Sequence, residues 1–210
     1  FGRMVADDTD LNIDAACQVA HAISTHAAEN EYDFFTAVDD EKNRSEEEDA
    51  GAGMMGTVEF SSATMYRYAT VNLDMLVENL GDGNAALRAL EVFIKGFCLS
   101  MPTGKQNSFA ARTLPDAVIV TVRNDRPISY VNAFEKAITE VEGRRVVAAR
   151  ALASEAKNIE EAYGYEPVAS YVLALGDLKE ELAGLGESVS LKGLLESLEA
   201  QLTALTSQES

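Results

Sequence analysis

Few side chains in this sequence are of a type and spacing that could do chemistry. His21 and His26 are the only histidines. Five residues apart on an extended strand they face opposite sides, so they cannot share a metal ion. One imidazole hydrogen-bonded near a sheet, with the other in a loop, is the simpler reading. Thr103-Gly104-Lys105-Gln106 echoes a phosphate loop, but that pattern needs glycine where Leu99 stands and Ser or Thr where Gln106 stands. Lys105 and Arg112 are then either point charges for a phosphate or parts of a solvated connection. The acidic pairs Glu160-Glu161 and Glu180-Glu181 lack the apolar surroundings that raise a carboxyl pKa towards general-acid work. Cys17 and Cys98 sit in apolar contexts, as small buried hydrophobes do. No Gly-x-Ser-x-Gly elbow, His-Glu-x-x-His helix or Cys-x-x-Cys pair occurs. The expectation is a protein that is no enzyme and needs no metal or cofactor.

A different kind of contact is offered by Phe34, Phe35, Val38, Met54 and Met55. They flank a run in which seven of the eleven residues from Asp39 to Asp49 are acidic, followed by a glycine-spaced Gly51 to Gly56. Two extended, partly apolar arms around a segment too polar to pack describe a long hairpin projecting from a globular body. The segment 39–56 is expected to be mobile, since it cannot bury enough apolar surface to offset its ordering entropy. Large apolar side chains on such an arm have little core to enter. They are suited to wedging between stacked bases, a mode that needs no positive charge.

The elements that must carry these residues can be read from periodicity. Residues 15–25, with Val19 and Ile23 on one parity, suggest a strand, a short helix being the alternative. Alternation over 57–73 puts Met65, Arg67, Ala69, Val71 and Leu73 on one face of a long strand. Asn84 can cap a helix with Leu87, Leu90, Ile94, Phe97, Cys98 and Met101 in its stripe, ended by Pro102. Ala117–Val122 is a β-branched run typical of a strand covered on both sides. Asn132-Ala133-Phe134-Glu135 has the form of a capping box before a short helix. A longer helix spans about 145–162 and stops at Gly164, residues 171–175 form a last strand, and Leu191, Leu194, Leu195, Leu198, Leu202 and Leu205 stripe a terminal helix. The fold class is α+β.

With 210 residues, 47% of them apolar, the chain can build one sizeable core and an appendage. No run approaches a membrane span and no signal sequence opens it, so a soluble, cytoplasmic protein is expected. The absence of an initiator methionine at Phe1 suggests a fragment of a longer protein. The formal charge of −18 leaves the chain without the basic face that nucleic-acid binding normally displays.

At particular motifs the chain is similar to a known family. His21–His26, Asp33–Asp40, Gly56–Ser62, Tyr66-Arg67-Tyr68-Ala69 and Asn132–Ala137 closely resemble, in order and near-family spacing, the CasC family, which supplies the backbone subunit of the type I-E CRISPR surveillance complex, Cascade. The similarity is specific from residue 1 to about 140. It implies an RNA-recognition-motif-like palm, here incomplete, over 1–26 and 62–145. It further implies a β-hairpin thumb over 27–61, while 146–210 would form a C-terminal helical extension. Copies would stack head to tail along the CRISPR RNA, each thumb displacing a nucleotide at regular intervals. By the same resemblance Phe34, Phe35 and Val38 fall where apolar residues meet displaced bases, Met4 where a partner wedge stands, and Met55 at an aliphatic thumb position. The acidic segment from Glu41 to Gly53 is longer than the family pattern. The family's fingers and first palm strand would precede Phe1, and much of the basic surface with them.

The function expected is therefore that of a non-catalytic CRISPR RNA-binding subunit in antiviral defence. Its partners would be the guide RNA, target DNA through that guide, further copies of itself and other Cascade subunits. Its RNA-binding residues would be Met4, Phe34, Phe35, Val38, Met55 and Lys105. The alternative is a protein-interaction module docking through the hairpin and through the leucine stripe at 191–205.

Overall fold

The computed structural model describes residues 1–37 and 54–208. Its first half is a two-stranded antiparallel ribbon, rich in the aromatic and β-branched residues that suit a pleated backbone. Strand β1 (Cys17–Val19) pairs with β6 (Ala69–Val71), β2 (Ile23–Ser24) with β5 (Met65–Tyr66), and β3 (Glu31–Ala37) with β4 (Met54–Phe60). The single strand expected over 57–73 is thus broken into three pieces. The register shows why. Between Val19↔Ala69 and Ile23↔Tyr66 the outgoing arm advances four residues while the returning arm gives up three, and between Ser24↔Met65 and Glu31↔Phe60 it advances seven against five. Extra residues on one arm interrupt pairing and bend the ribbon, as β-bulges do.

His26 occupies the larger interruption. It is 5% exposed and its backbone bridges to Ile138. Its Nδ1–H donates to the Ala27 carbonyl at 2.7 Å, which leaves Nε2 free to accept the Thr64 N–H at 3.1 Å. The imidazole therefore ties the two arms together. His21 is exposed between β1 and β2, so the division into one structural and one loop histidine is the one observed.

Leu73, read as the last residue of a strand, instead opens helix α1 (Leu73–Leu80), because the Asn72 carboxamide oxygen accepts the Met75 N–H at 3.0 Å. Helix α2 (Gly83–Leu99) is capped by Asp82, whose carboxylate accepts the Asn84 N–H at 2.9 Å. Asn84 is accordingly inside the first turn and is not the cap. Ala16, Leu76 and Ala86 form a small buried cluster where α1 and α2 meet the foot of the ribbon.

The second half is a three-stranded sheet: β7 (Ala117–Val122) pairs antiparallel with β8 (Ala169–Ala174), which pairs parallel with β9 (Glu187–Ser188). Alternation along β7 divides the core. Val118, Val120 and Val122 face a cluster built from Ile94, Cys98, Tyr171, Leu194, Leu198 and Leu202, supplied by α2, by β8 through Tyr171, and by the terminal helix α6 (Leu191–Gln208). Ala117 and Ile119 face Ala149, Ala153, Val172, Ala174, Leu178 and Leu182, from β8, α4 (Arg144–Tyr163) and α5 (Leu178–Leu182). The sheet is covered on both sides, as the β-branched run required. Leu191, Leu194, Leu195, Leu198 and Leu202 of the leucine stripe pack in or against the first cluster, with Leu194 at 1% exposure, so these five form no free docking surface.

Helix α4 ends at Gly164, which takes the left-handed conformation at φ 65°. The capping box expected at Asn132 is not formed. Asn132 lies inside a 3₁₀ turn, Val131–Phe134, and its backbone carbonyl accepts the Glu135 N–H at 3.1 Å. The turn buries Phe134 against Tyr66, ring centroids 5.4 Å apart. Among the described residues no helix is long and apolar enough to cross a membrane.

Candidate functional site

Strands β3 and β4 form the expected hairpin, paired without interruption from Glu31↔Phe60 to Ala37↔Met54. At the usual rise per residue seven paired positions reach about 20 Å from their base. Cross-strand partners share a face, so one face carries Phe35, Gly56, Val58 and Phe60 and the other Tyr32, Phe34, Thr57 and Met55. The two phenylalanines expected to act together are thereby separated. Phe34 is 76% exposed and Met55 74%, diagonal neighbours on one side, whereas Phe35, at 40%, lies on the other side across Gly56. Val38 and the acidic segment 39–53 lie outside the described residues.

The hairpin's base is held by a contact the sequence did not announce. Phe60 packs against Phe109, centroids 5.1 Å apart, and Phe109 closes α3 (Gln106–Phe109), a single helical turn. The Lys105 ammonium lies 5.8 Å from the Phe109 ring, and Arg112 Nη2 donates to the Gln106 side-chain oxygen at 3.1 Å. The structure therefore brings Lys105 to the hairpin's foot. Met4, 89% exposed, is carried on a separate excursion closed by paired backbone hydrogen bonds between Arg3 and Ile13.

Behind the hairpin the polar groups are structural. The Tyr66 hydroxyl accepts the Tyr130 N–H at 3.0 Å, and burial pushes its pKa upward. Arg123, its side chain 5% exposed, donates to the Tyr165 carbonyl at 2.8 Å and to Asp125 at 3.3 Å, with Glu160 3.6 Å away. The Arg126 N–H, aided by Arg123, holds the Asp125 carboxyl below the usual range. Among the described residues no group of three or more His, Cys, Asp and Glu side chains could hold a metal. The hairpin's surface presents exposed aromatic and apolar side chains.

Residues 1–197 match the family model described as CT1975-like protein. The chain belongs to the CT1975-like family. Two solved structures extend the comparison. A chain described as a CRISPR RNA-guided surveillance complex, pre-nicking, is 42% identical with a TM-score of 0.87, over 96% of this chain and 54% of that one. Another, described as a CRISPR RNA-guided surveillance complex, is 40% identical with a TM-score of 0.83, over 94% of this chain and 76% of that one. This CT1975-like chain thus spans about half the length of the first of these. No curated protein matches. The mixed α+β fold is shared with chains of CRISPR surveillance complexes, which is the level at which the similarity seen in the motifs holds.

Proposed function

We propose that this CT1975-like chain is a non-catalytic, CRISPR RNA-binding part of the backbone of a type I-E Cascade surveillance complex. The observation that carries the reading is the hairpin: Phe35 stands exposed on one face of a two-stranded arm, with Phe34 and Met55 exposed on the other, in a family whose solved relatives come from CRISPR RNA-guided complexes. In this reading residues 27–61 are a thumb, 1–26 and 62–145 the palm, and 146–210 the C-terminal part. Copies stack head to tail along the guide RNA in the cytoplasm, next to other Cascade subunits. Apolar thumb residues displace bases while the guide pairs with target DNA. Wedging by carbon surface is compatible with a net charge of −18, because it gains from stacking and needs no phosphate neutralisation.

The test uses the full-length gene product co-expressed with its neighbours. Phe35→Ala and Met4→Ala should each lower guide-RNA packaging or target-strand hybridisation without lowering the yield of folded protein. Unchanged packaging and hybridisation in both would refute the assignment. A protein-only module docking through the hairpin would purify with an ultraviolet absorbance ratio typical of protein, whereas bound RNA raises that ratio sharply.

A further inference from the structure

From Val92 to Pro115 the sequence contains no aspartate or glutamate, although the chain has 35, and Lys105 and Arg112 lie within that stretch. The stretch follows the returning arm of the ribbon. Near its start the Arg67 guanidinium sits 4.4 Å from the centroid of Phe97, and near its end Phe109 packs on Phe60. Between these contacts the backbone makes α3, bracketed by Lys105 at φ 54° and Ala110 at φ 47°, the only non-glycine residues in the left-handed region among those described. Left-handed backbone disfavours a residue with a β-carbon, so such a turn persists only where its surroundings hold it. Here the Phe109 and Ala110 N–H groups donate to Lys105 and Gln106 carbonyls, and the Arg112 side chain closes on Gln106. Neither Lys105 nor Arg112 is in an ion pair among the described residues.

We infer that the turn 103–112 is a phosphate clasp for the backbone of single-stranded RNA, in which Lys105 and Arg112 neutralise two phosphates of the strand whose bases meet the Phe35 face of the hairpin. This rests on the RNA-binding reading above and adds the placement of the strand. Phe60 is on the same face as Phe35, so the contact with Phe109 sets the clasp beside that face and away from Phe34 and Met55. The Phe35 face itself carries Glu31 and Asp33, opposite Phe60 and Val58, so in a chain this acidic the phosphates meet least repulsion over the carboxylate-free segment at the hairpin's foot.

The experiment measures binding of the full-length gene product to a uridine-rich single-stranded RNA across a salt series. Each lost phosphate contact on a single strand lowers the slope of log affinity against log salt by about 0.7. The double variant K105Q/R112Q should therefore reduce the slope by about 1.4, while Val141→Ala, a truncation of a solvent-exposed side chain with no assigned role, should leave it unchanged. Wild-type binding with an unaltered slope in the double variant overturns the clasp and leaves the RNA-binding reading standing. No wild-type binding overturns both. Should the double variant melt earlier than the parent, photo-crosslinking of the unmodified protein to 4-thiouridine RNA decides the matter: label within 103–112 is expected, and label elsewhere or nowhere overturns the clasp.

Discussion

The ring of Phe35 lies across Gly56, its partner on the opposite strand: a β-carbon on Gly56 would stand 2.5 Å from Cζ and 2.7 Å from Cε1 of that ring. Glycine inside a strand weakens it, and an aromatic partner folded over the bare backbone compensates. Phe35 is thus anchored along the hairpin while Phe34, next in the chain, stands free.

Gly56→Ala should dislodge the Phe35 ring. The atoms in the way are the far end of a side chain that is 40% exposed, and alanine restricts the unfolded chain, so stability should stay within about 1 kcal/mol of the parent. RNA retention in the assembled complex should fall as it does for Phe35→Ala. Urea denaturation and nucleic-acid co-purification check the two halves, and full retention in Gly56→Ala would show that the ring's seating is irrelevant.

Core and arm should respond oppositely to truncation. Leu194 is 1% exposed between β8 and α2, and replacing it by Ala should cost about 2–5 kcal/mol through lost burial and the cavity left behind. Phe34→Ala and Met4→Ala remove side chains already in solvent, so each should change stability by no more than about 0.5 kcal/mol. Urea midpoints of the three variants give the comparison. A large loss at Phe34 would mean that the hairpin is a folding element more than a contact surface.

Much of this division was legible in the sequence, because burial leaves a periodic trace. The β-branched run of β7, the stop of α4 at Gly164 and the leucine stripe of α6 each follow from local composition. Local signals failed where two of them overlapped. Leu73 continues the strand alternation of Met65 to Val71, yet Asn72 caps a helix at the same place, and the cap prevails because Leu76 then reaches the cluster with Ala16 and Ala86. The bulges of the ribbon were not legible, since a register is a property of two strands and not of either alone. For the same reason the candidate site was only half visible: its aromatic residues stand out in the sequence, but the Phe60–Phe109 contact that brings Lys105 to the hairpin joins residues far apart in the chain.

His26→Ala should destabilise the ribbon at one place. The imidazole pairs with both a carbonyl and an amide; removing it leaves the half-buried Thr64 N–H without that partner, at up to about 1–3 kcal/mol for an unsatisfied group, while the carbonyl of exposed Ala27 can turn to water. Hydrogen exchange of the Thr64 amide should accelerate in step with the loss of stability. Protection of that amide equal to the parent's would contradict the bridging role.

Acid should erase one measurable contribution. Arg150 forks onto Glu181 through Nε at 3.0 Å and Nη2 at 2.7 Å, and these hydrogen bonds, with the opposite charge, hold the Glu181 carboxyl below its ordinary value. A carboxyl depressed on folding contributes stability that is present above its unfolded pKa of about 4.3 and is lost as pH falls through the folded value. Glu181→Gln should therefore be less stable than the parent at pH 7, and the gap should close on acidification below the ordinary carboxylate range. Urea midpoints of the two proteins across the pH series test this, a gap that widens in acid being the contrary outcome.

The 210-residue chain alone should bind RNA weakly. Its charge of −18 repels a polyanion at long range, and the contacts proposed for the hairpin are apolar. Two phosphate contacts at Lys105 and Arg112 would give a salt slope of about −1.4 on a single strand, far short of what binding driven mainly by phosphate neutralisation shows. At physiological salt the dissociation constant should accordingly lie above about 1 μM, in the range of non-specific association. Filter binding to the uridine-rich strand measures it. Submicromolar affinity in the isolated chain would mean that base wedging on the hairpin is far stronger than stacking supplies, or that a basic surface forms where the sequence offers none.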